Sequence, residues 1–201
     1  PVFLPTTFMA RQWIYEGKIG KLNYIQASYC HGEETWFHHG WHQDPKLGGG
    51  VLYDIGVYPI GFVHALLPQM PIHISCDTRY LENGCDSFHA IHARYEDVYV
   101  HMLCACDTPM ENEALIIGTK GSIRIADFWK SERAVLHNEQ GIHVFEEPHD
   151  RSEFRYEIES FCDAILAKAK SHGIVNEDVS LRNALLIDII HKNAETGEDN
   201  G

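Results

Sequence analysis

Neither nucleotide-binding fingerprint is present in these 201 residues: no GxGxxG spacing opens a helix, and no lysine–serine pair follows the glycine run. Basic residues are scarce, 16 Lys plus Arg against 29 Asp plus Glu, for a formal charge of −13. That balance repels phosphate backbones and anionic lipid, so nucleic acid and membrane surfaces are excluded as partners. No apolar run approaches the roughly 20 residues of a membrane span, and no secretory signal is expected. The six cysteines show no CxxC spacing and no disulfide-scaffold density, which points to reduced, mostly buried thiols in a cytoplasmic protein. Cys104 and Cys106 share one face of a strand, too little for a zinc site. The first residue is Pro1 rather than Met, so the chain is expected not to begin where its gene begins.

What is present is an ordinary apolar content of 44%, enough for one core. Phe8, Met9, Trp13 and Ile14 predict a helix over 6–17 stopped by Gly17, and Lys21 to Tyr29 alternates as a strand. A long aromatic and histidine-rich connection follows, then a helix over 49–67 that ends before Pro68. Seven short strands are expected between Ile72 and Phe145, separated by turns such as Glu82-Asn-Gly84 and Glu139-Gln-Gly141. Two helices close the chain, 153–170 with a stripe of Phe154, Ile158, Phe161, Ile165 and Leu166, and 180–192. The stripe and Trp13 are expected in the core. Segregated elements of this kind make an α+β fold: an open, largely antiparallel sheet with helices on one face, one domain over 1–195 and a polar tail over 196–201. Ile91, Ala93, Tyr95, Val98, Val100 and Met102 suggest apolar character on both sheet faces, and a second subunit is the expected cover.

The most specific pattern is Asp54 and Tyr58 in the stretch Leu47-Gly-Gly-Gly-Val-Leu-Tyr-Asp-Ile-Gly-Val-Tyr-Pro. Residues at i, i+4 share a helix face, so a carboxylate and a phenol can address one reactive centre. An aspartate in this apolar helix is costly unless paired or directed into a wet cleft. A phenol with a reference pKa near ~10 needs a nearby cation to serve as a base at neutral pH. A hydrogen-bonded Asp–Tyr pair that only locks the helix fits the spacing too. Gly48, Gly49 and Gly50 are read as a tight loop-to-helix turn, with a phosphate cradle the weaker alternative. Trp36, His38, Trp41 and His42 of the preceding loop are read as the lining of a pocket for a polar small molecule such as a sugar or diol. His39-x-x-His42 lacks a third ligand at a useful spacing, so no metal is assigned.

Three blocks carry a resemblance. Arg11-Gln-Trp-Ile-Tyr-Glu-Gly-Lys-Ile-Gly-Lys-Leu22 is similar to a helix ending in GxIG before a strand, Gly48 to Tyr58 resembles a signature helix, and Ile117-Gly-Thr-Lys-Gly-Ser-Ile-Arg-Ile125 is followed by Tyr156-Glu-Ile-Glu-Ser-Phe161. Together they resemble the C-terminal domain of the glucose–fructose oxidoreductase, inositol dehydrogenase and MocA (Gfo/Idh/MocA) family of nicotinamide-dependent oxidoreductases. The resemblance implies a substrate-binding and dimerisation domain whose N-terminal Rossmann partner is absent here. It implies that Tyr58 is the acid/base on a sugar, polyol or diol hydroxyl and that Asp54 orients it. NAD or NADP would be bound mainly by the missing domain. Tyr58, where many relatives carry histidine, resembles the branch containing dihydrodiol dehydrogenases and glucose–fructose oxidoreductase. The family's Glu-Lys-Pro lysine is also absent, so the isolated chain is expected to be inactive. The alternative is a non-catalytic ligand-binding or oligomerisation module without a cofactor domain.

Overall fold

Pro5 opens α1 (Pro5–Tyr15), where its missing N–H costs nothing, and Gly17, at φ 70°, ends it. In this computed structural model, which describes residues 1–32, 39–149, 152–169 and 175–196, the chain then enters β1 (Leu22–Cys30). Two short 3₁₀ turns (Gly40–Gln43 and Pro45–Leu47) lead to a π turn (Leu52–Gly56), which runs into α2 (Val57–Leu66). The single helix expected over 49–67 is therefore two pieces with different pitch. Apolar spacing cannot separate them, because a π turn only inserts a residue into an otherwise continuous helix.

Seven strands follow: β2 (His73–Tyr80), β3 (Asp86–Tyr95), β4 (Val98–Ala105), β5 (Glu113–Gly118), β6 (Gly121–Ala126), β7 (Arg133–Asn138) and β8 (Gly141–Glu146). They join β1 in one 8-stranded open sheet of order β2-β3-β4-β1-β5-β6-β7-β8. Every pairing is antiparallel except β1 with β4. Hairpin-length turns account for the antiparallel pairs. The parallel pair arises because β1 enters the middle of the sheet from the far side of the long connection and α2.

α1, α2 and α4 (Glu177–Thr196) cover one face, where Trp13, Phe62, Ile91, Met102, Ile116 and Ile190 meet in the core. Burial of each such side chain contributes roughly 1.5–3 kcal/mol. The register corrects which residues give the sheet its two faces. Ile91 pairs with Met102, Ala93 with Val100 and Tyr95 with Val98, so all six residues lie on the helix-covered face. The open face instead mixes His92, Arg94, His101 and Arg124 with Leu103, Leu115, Ile117 and Val135, reached at alternate positions of the same strands. α4 runs one residue into the expected tail, and the rest of that tail lies outside the described residues.

α3 (Arg155–Leu166) departs from expectation. Its apolar stripe exists but has no buried residue: Phe161 is 54% exposed and Leu166 81%. Helical period reports an apolar face, not what covers it. Leu166→Ser should accordingly shift stability by no more than about 0.5 kcal/mol, as at a surface position, against roughly 3–5 for Phe62→Ala in the core. Thermal denaturation of the two variants checks this contrast.

No disulfide joins the six cysteines, and Cys30, Cys85, Cys104 and Cys106 are buried. Burial pushes the Cys30 thiol up to about 11 and that of Cys106 to about 12, so neither supplies a thiolate at neutral pH.

Candidate active site

The glycine run is a packing device. A side chain at Gly49 would meet the His42 and Trp41 carbonyl oxygens within 2.6 Å. Gly50 sits at φ 114°, and a Cβ there would lie within 2.7 Å of the Asp86 Cγ. The Gly49 and Gly50 N–H groups donate inward, to Asp44 O (3.0 Å) and His42 O (3.1 Å), so they are not presented to a phosphate. The result is a sharp entry that drives the chain into the π turn carrying Asp54.

Asp54 is mostly buried, its side chain 21% exposed, with Oδ2 3.9 Å from His42 Nε2. His42 Nδ1 lies 3.1 Å from the His39 carbonyl and, since a carbonyl only accepts, carries the proton there. At 3.9 Å, Nε2 lies beyond hydrogen-bond distance of the carboxylate. Among the described residues, Asp54 Oδ2 is thus a buried acceptor without a hydrogen-bond partner. Burial pushes the Asp54 pKa up, while His42 and His31 pull it down. No hydrogen bond joins Asp54 to Tyr58 among the described residues, so the reading of a pair that only locks the helix loses its geometric support.

Tyr58, at the start of α2, is half-buried and meets Tyr29 edge-on, ring centroids 5.1 Å apart at 82°. Tyr29 in turn stacks on Trp129 (3.9 Å) and tilts against His31 (4.9 Å). Burial raises the Tyr58 pKa first, and the charges of Asp54, Glu153 and Glu157 raise it further. Tyr29 is pushed up to about 12, by burial and then by Tyr58 and Asp54. Tyr58 opens onto a cleft of about 260 Å³ whose other walls include Phe3, Trp129, Glu153, Phe154 and Glu157.

The structure therefore brings Asp54, Tyr58 and His42 into one cluster. Trp41 flanks it, 42% exposed and stacked on His42 at 4.1 Å. Trp36 and His38 lie outside the described residues. Tyr29, Trp129, Glu153 and Glu157 were not anticipated. Tyr29 reads as one more strand residue, and only the paired aromatics in Asp127-Phe-Trp-Lys130, at a turn where large rings are uncommon, hinted at Trp129. Among the described residues, no group of three or more His, Cys, Asp or Glu could hold a metal ion.

The strained carboxylate has a measurable consequence. With its folded pKa raised, Asp54 binds protons more readily in the native state, so its charge costs stability as pH rises through that range. Asp54→Asn should raise the thermal midpoint at neutral pH. The advantage should vanish below about pH 4, where the unfolded carboxyl is also protonated. Midpoints of the two proteins across pH 3–7 check both halves.

The model of the GFO/IDH/MocA C-terminal domain matches residues 8–124. The trans-1,2-dihydrobenzene-1,2-diol dehydrogenase of Danio rerio is 31% identical over 156 residues, 72% of this chain and 45% of that protein. The Mus musculus protein of the same name is 27% identical over 140 residues, covering 69% and 41%. The chain thus spans less than half the length of these curated relatives. In fold it is similar to an aldose-aldose oxidoreductase from Caulobacter crescentus complexed with glycerol, with a TM-score of 0.85 at 16% identity over 98% of this chain and 61% of that one. A 3-ketoreductase from Actinomadura kijaniata, in complex with NADP and TDP-benzene, matches at 0.75 and 20% identity, covering 95% and 60%. With its open sheet, its one-sided helices and a family match over more than half its residues, the chain belongs to the GFO/IDH/MocA C-terminal domain family.

Proposed function

We propose that residues 1–195 form the substrate-binding and oligomerisation unit of a cytoplasmic NAD- or NADP-dependent oxidoreductase acting on the CH–OH group of a sugar, polyol or diol. The observation that carries this reading is the partnerless Asp54 Oδ2 beside Tyr58. An orphaned buried acceptor is costly unless a donor arrives, and a substrate hydroxyl is such a donor. The aromatic walls Tyr58, Trp129 and Phe154 suit the C–H faces of such a substrate, and Glu153 and Glu157 suit its remaining hydroxyls.

In this reading Asp54 accepts a hydrogen bond from the substrate and fixes its orientation. Tyr58 exchanges the hydroxyl proton, donating it in carbonyl reduction and accepting it, as phenolate, in alcohol oxidation. The nicotinamide, when bound, supplies or takes the hydride. The residues around Tyr58 do not fit a dinucleotide's phosphates, because Asp54, Glu153 and Glu157 are acidic. They also hold the phenol proton tightly, so the cation that would make Tyr58 a base at neutral pH has to come from the cofactor-bearing part of the protein. The exposed α3 stripe borders the same cleft through Phe154 and gives such a domain an apolar surface to cover. A homodimer or larger homo-oligomer would form through the open sheet face, where Ile142 (65% exposed) and Val144 (47%) extend the apolar rows. Nucleic acid and membrane are not partners in this reading: the chain is acidic, and no helix among the described residues is long and apolar enough to cross a membrane.

The mass of the native protein in its source cells tests the domain assignment. A species larger by about 100–150 residues, the size of a Rossmann domain, is expected. A native species no larger than 201 residues would contradict it and favour a ligand-binding or oligomerisation module without turnover.

A further inference from the structure

Asp86 and His89 are a buried ionisable pair, 4% and 0% exposed, that plays no part in the chemistry outlined above. In a regular strand, residues three apart point to opposite faces. Here the β2–β3 register runs Arg79↔Phe88 and then Tyr80↔Asp86, so an extra residue on β3 forms a bulge. Bulges re-aim side chains and recur beside active sites. This one turns Asp86 onto the side of His89 and toward the start of the π turn.

The contacts form a chain. Asp86 Oδ2 accepts from the Leu52 N–H at 2.8 Å and lies 3.0 Å from His89 Nε2, which as the carboxylate's neighbour carries the proton. His89 Nδ1 lies 2.9 Å from the Thr78 hydroxyl on β2. The Leu52 N–H is one of the orphan donors that open a helix, and it has no cap of its own. Burial pushes the Asp86 pKa up, but the His89 bond and charge and the Leu52 bond outweigh it and hold the carboxyl below its ordinary value.

We propose that Asp86, itself fixed by His89 and Thr78, is a positioning residue that pins the π turn and so sets the placement of Asp54 on that turn and of Tyr58, just after it, at the cleft. The reading of Asp54 and Tyr58 as the substrate-facing pair gives this arrangement its purpose, and the proposal rests on it to that extent. The charges that act on Asp54 are those of His42 and His31, not of Asp86. A change in Asp54 titration on altering Asp86 therefore reports a displacement of the turn, not a lost charge.

The test follows amide exchange and aspartate carboxyl titration by NMR in the whole chain, for Asp86→Ala, Asp86→Asn and Thr78→Val. In Asp86→Ala, exchange at Leu52 and through Tyr58 should accelerate roughly 10- to 100-fold, the range for one charge-assisted hydrogen bond, while amides of β5 to β7 keep their rates. The Asp54 titration should fall toward the ordinary carboxylate value as the turn loosens and water enters. Asp86→Asn keeps an oxygen for the Leu52 N–H and should restore most of the protection. Thr78→Val leaves Asp86 in place and should give a smaller change in the same direction, and it carries the test if Asp86→Ala does not fold. Unchanged exchange at Leu52, acceleration spread equally over β5 to β7, or an unmoved Asp54 titration would each overturn the proposal. None of these readouts involves substrate or cofactor, so this proposal and the oxidoreductase reading can fail independently.

Discussion

Tyr58→Phe, in the protein joined to its dinucleotide-binding domain, should lower turnover by about 10²–10⁴-fold, the usual contribution of a positioned acid or base. The substitution removes one oxygen and leaves the ring, which meets Tyr29 edge-on at 5.1 Å, so the thermal midpoint should change little. The loss should fall on kcat and kcat/KM together, because the proton moves only in the transition state. A loss confined to KM would make Tyr58 a binding group. A large drop in midpoint with turnover intact would make it structural, which is the outcome the non-catalytic module requires. The pH profile separates these further. Burial first and then the acidic neighbours raise the phenol pKa, so without an added cation a base role would be confined to strongly alkaline pH.

Gly50→Ala should destabilise the chain by about 3 kcal/mol or more, combining left-handed backbone strain of roughly 1–2 with a lost charge-assisted hydrogen bond of roughly 1.5–3. The strain follows from φ 114°, and the hydrogen bond is lost because a methyl group there occupies the place of the Asp86 carboxylate. That carboxylate cannot move aside cheaply, since it holds the Leu52 N–H and His89 together. In a domain of this size the expected fall in thermal midpoint is roughly 6–12 °C. Gly48→Ala provides the contrast: φ is 77° but no described residue lies within 4 Å of an added Cβ, so strain alone remains, roughly 1–2 kcal/mol. Equal losses at the two positions would show that the Asp86 contact carries no weight.

These two positions mark what the sequence could and could not disclose. Hairpin turns and alternating strands predicted the antiparallel sheet because both are local signals, and Gly48 to Tyr58 singled out the candidate site because its residue types are unusual at that spacing. The parallel pairing of β1 with β4 was hidden, since it depends on where a long connection returns the chain. Asp86 was hidden for a related reason: one bulge changes which face it serves, and no alternation pattern records a bulge. Trp129 reaches Tyr29 from the turn after β6, a meeting set by tertiary packing alone. The α3 stripe misled in the opposite direction. Its period is that of a core helix, yet the surface it would bury against is not among the described residues.

In the proposed function, Asp54 and Tyr58 receive a hydroxyl-bearing substrate for hydride transfer. The most direct measurement is formation of reduced nicotinamide by the native protein, supplied with NAD or NADP and a panel of diols, polyols and aldoses. Turnover is expected with at least one member of the panel, abolished or nearly so in Tyr58→Phe. Tight cofactor binding with no hydride transfer to or from any of them would contradict it.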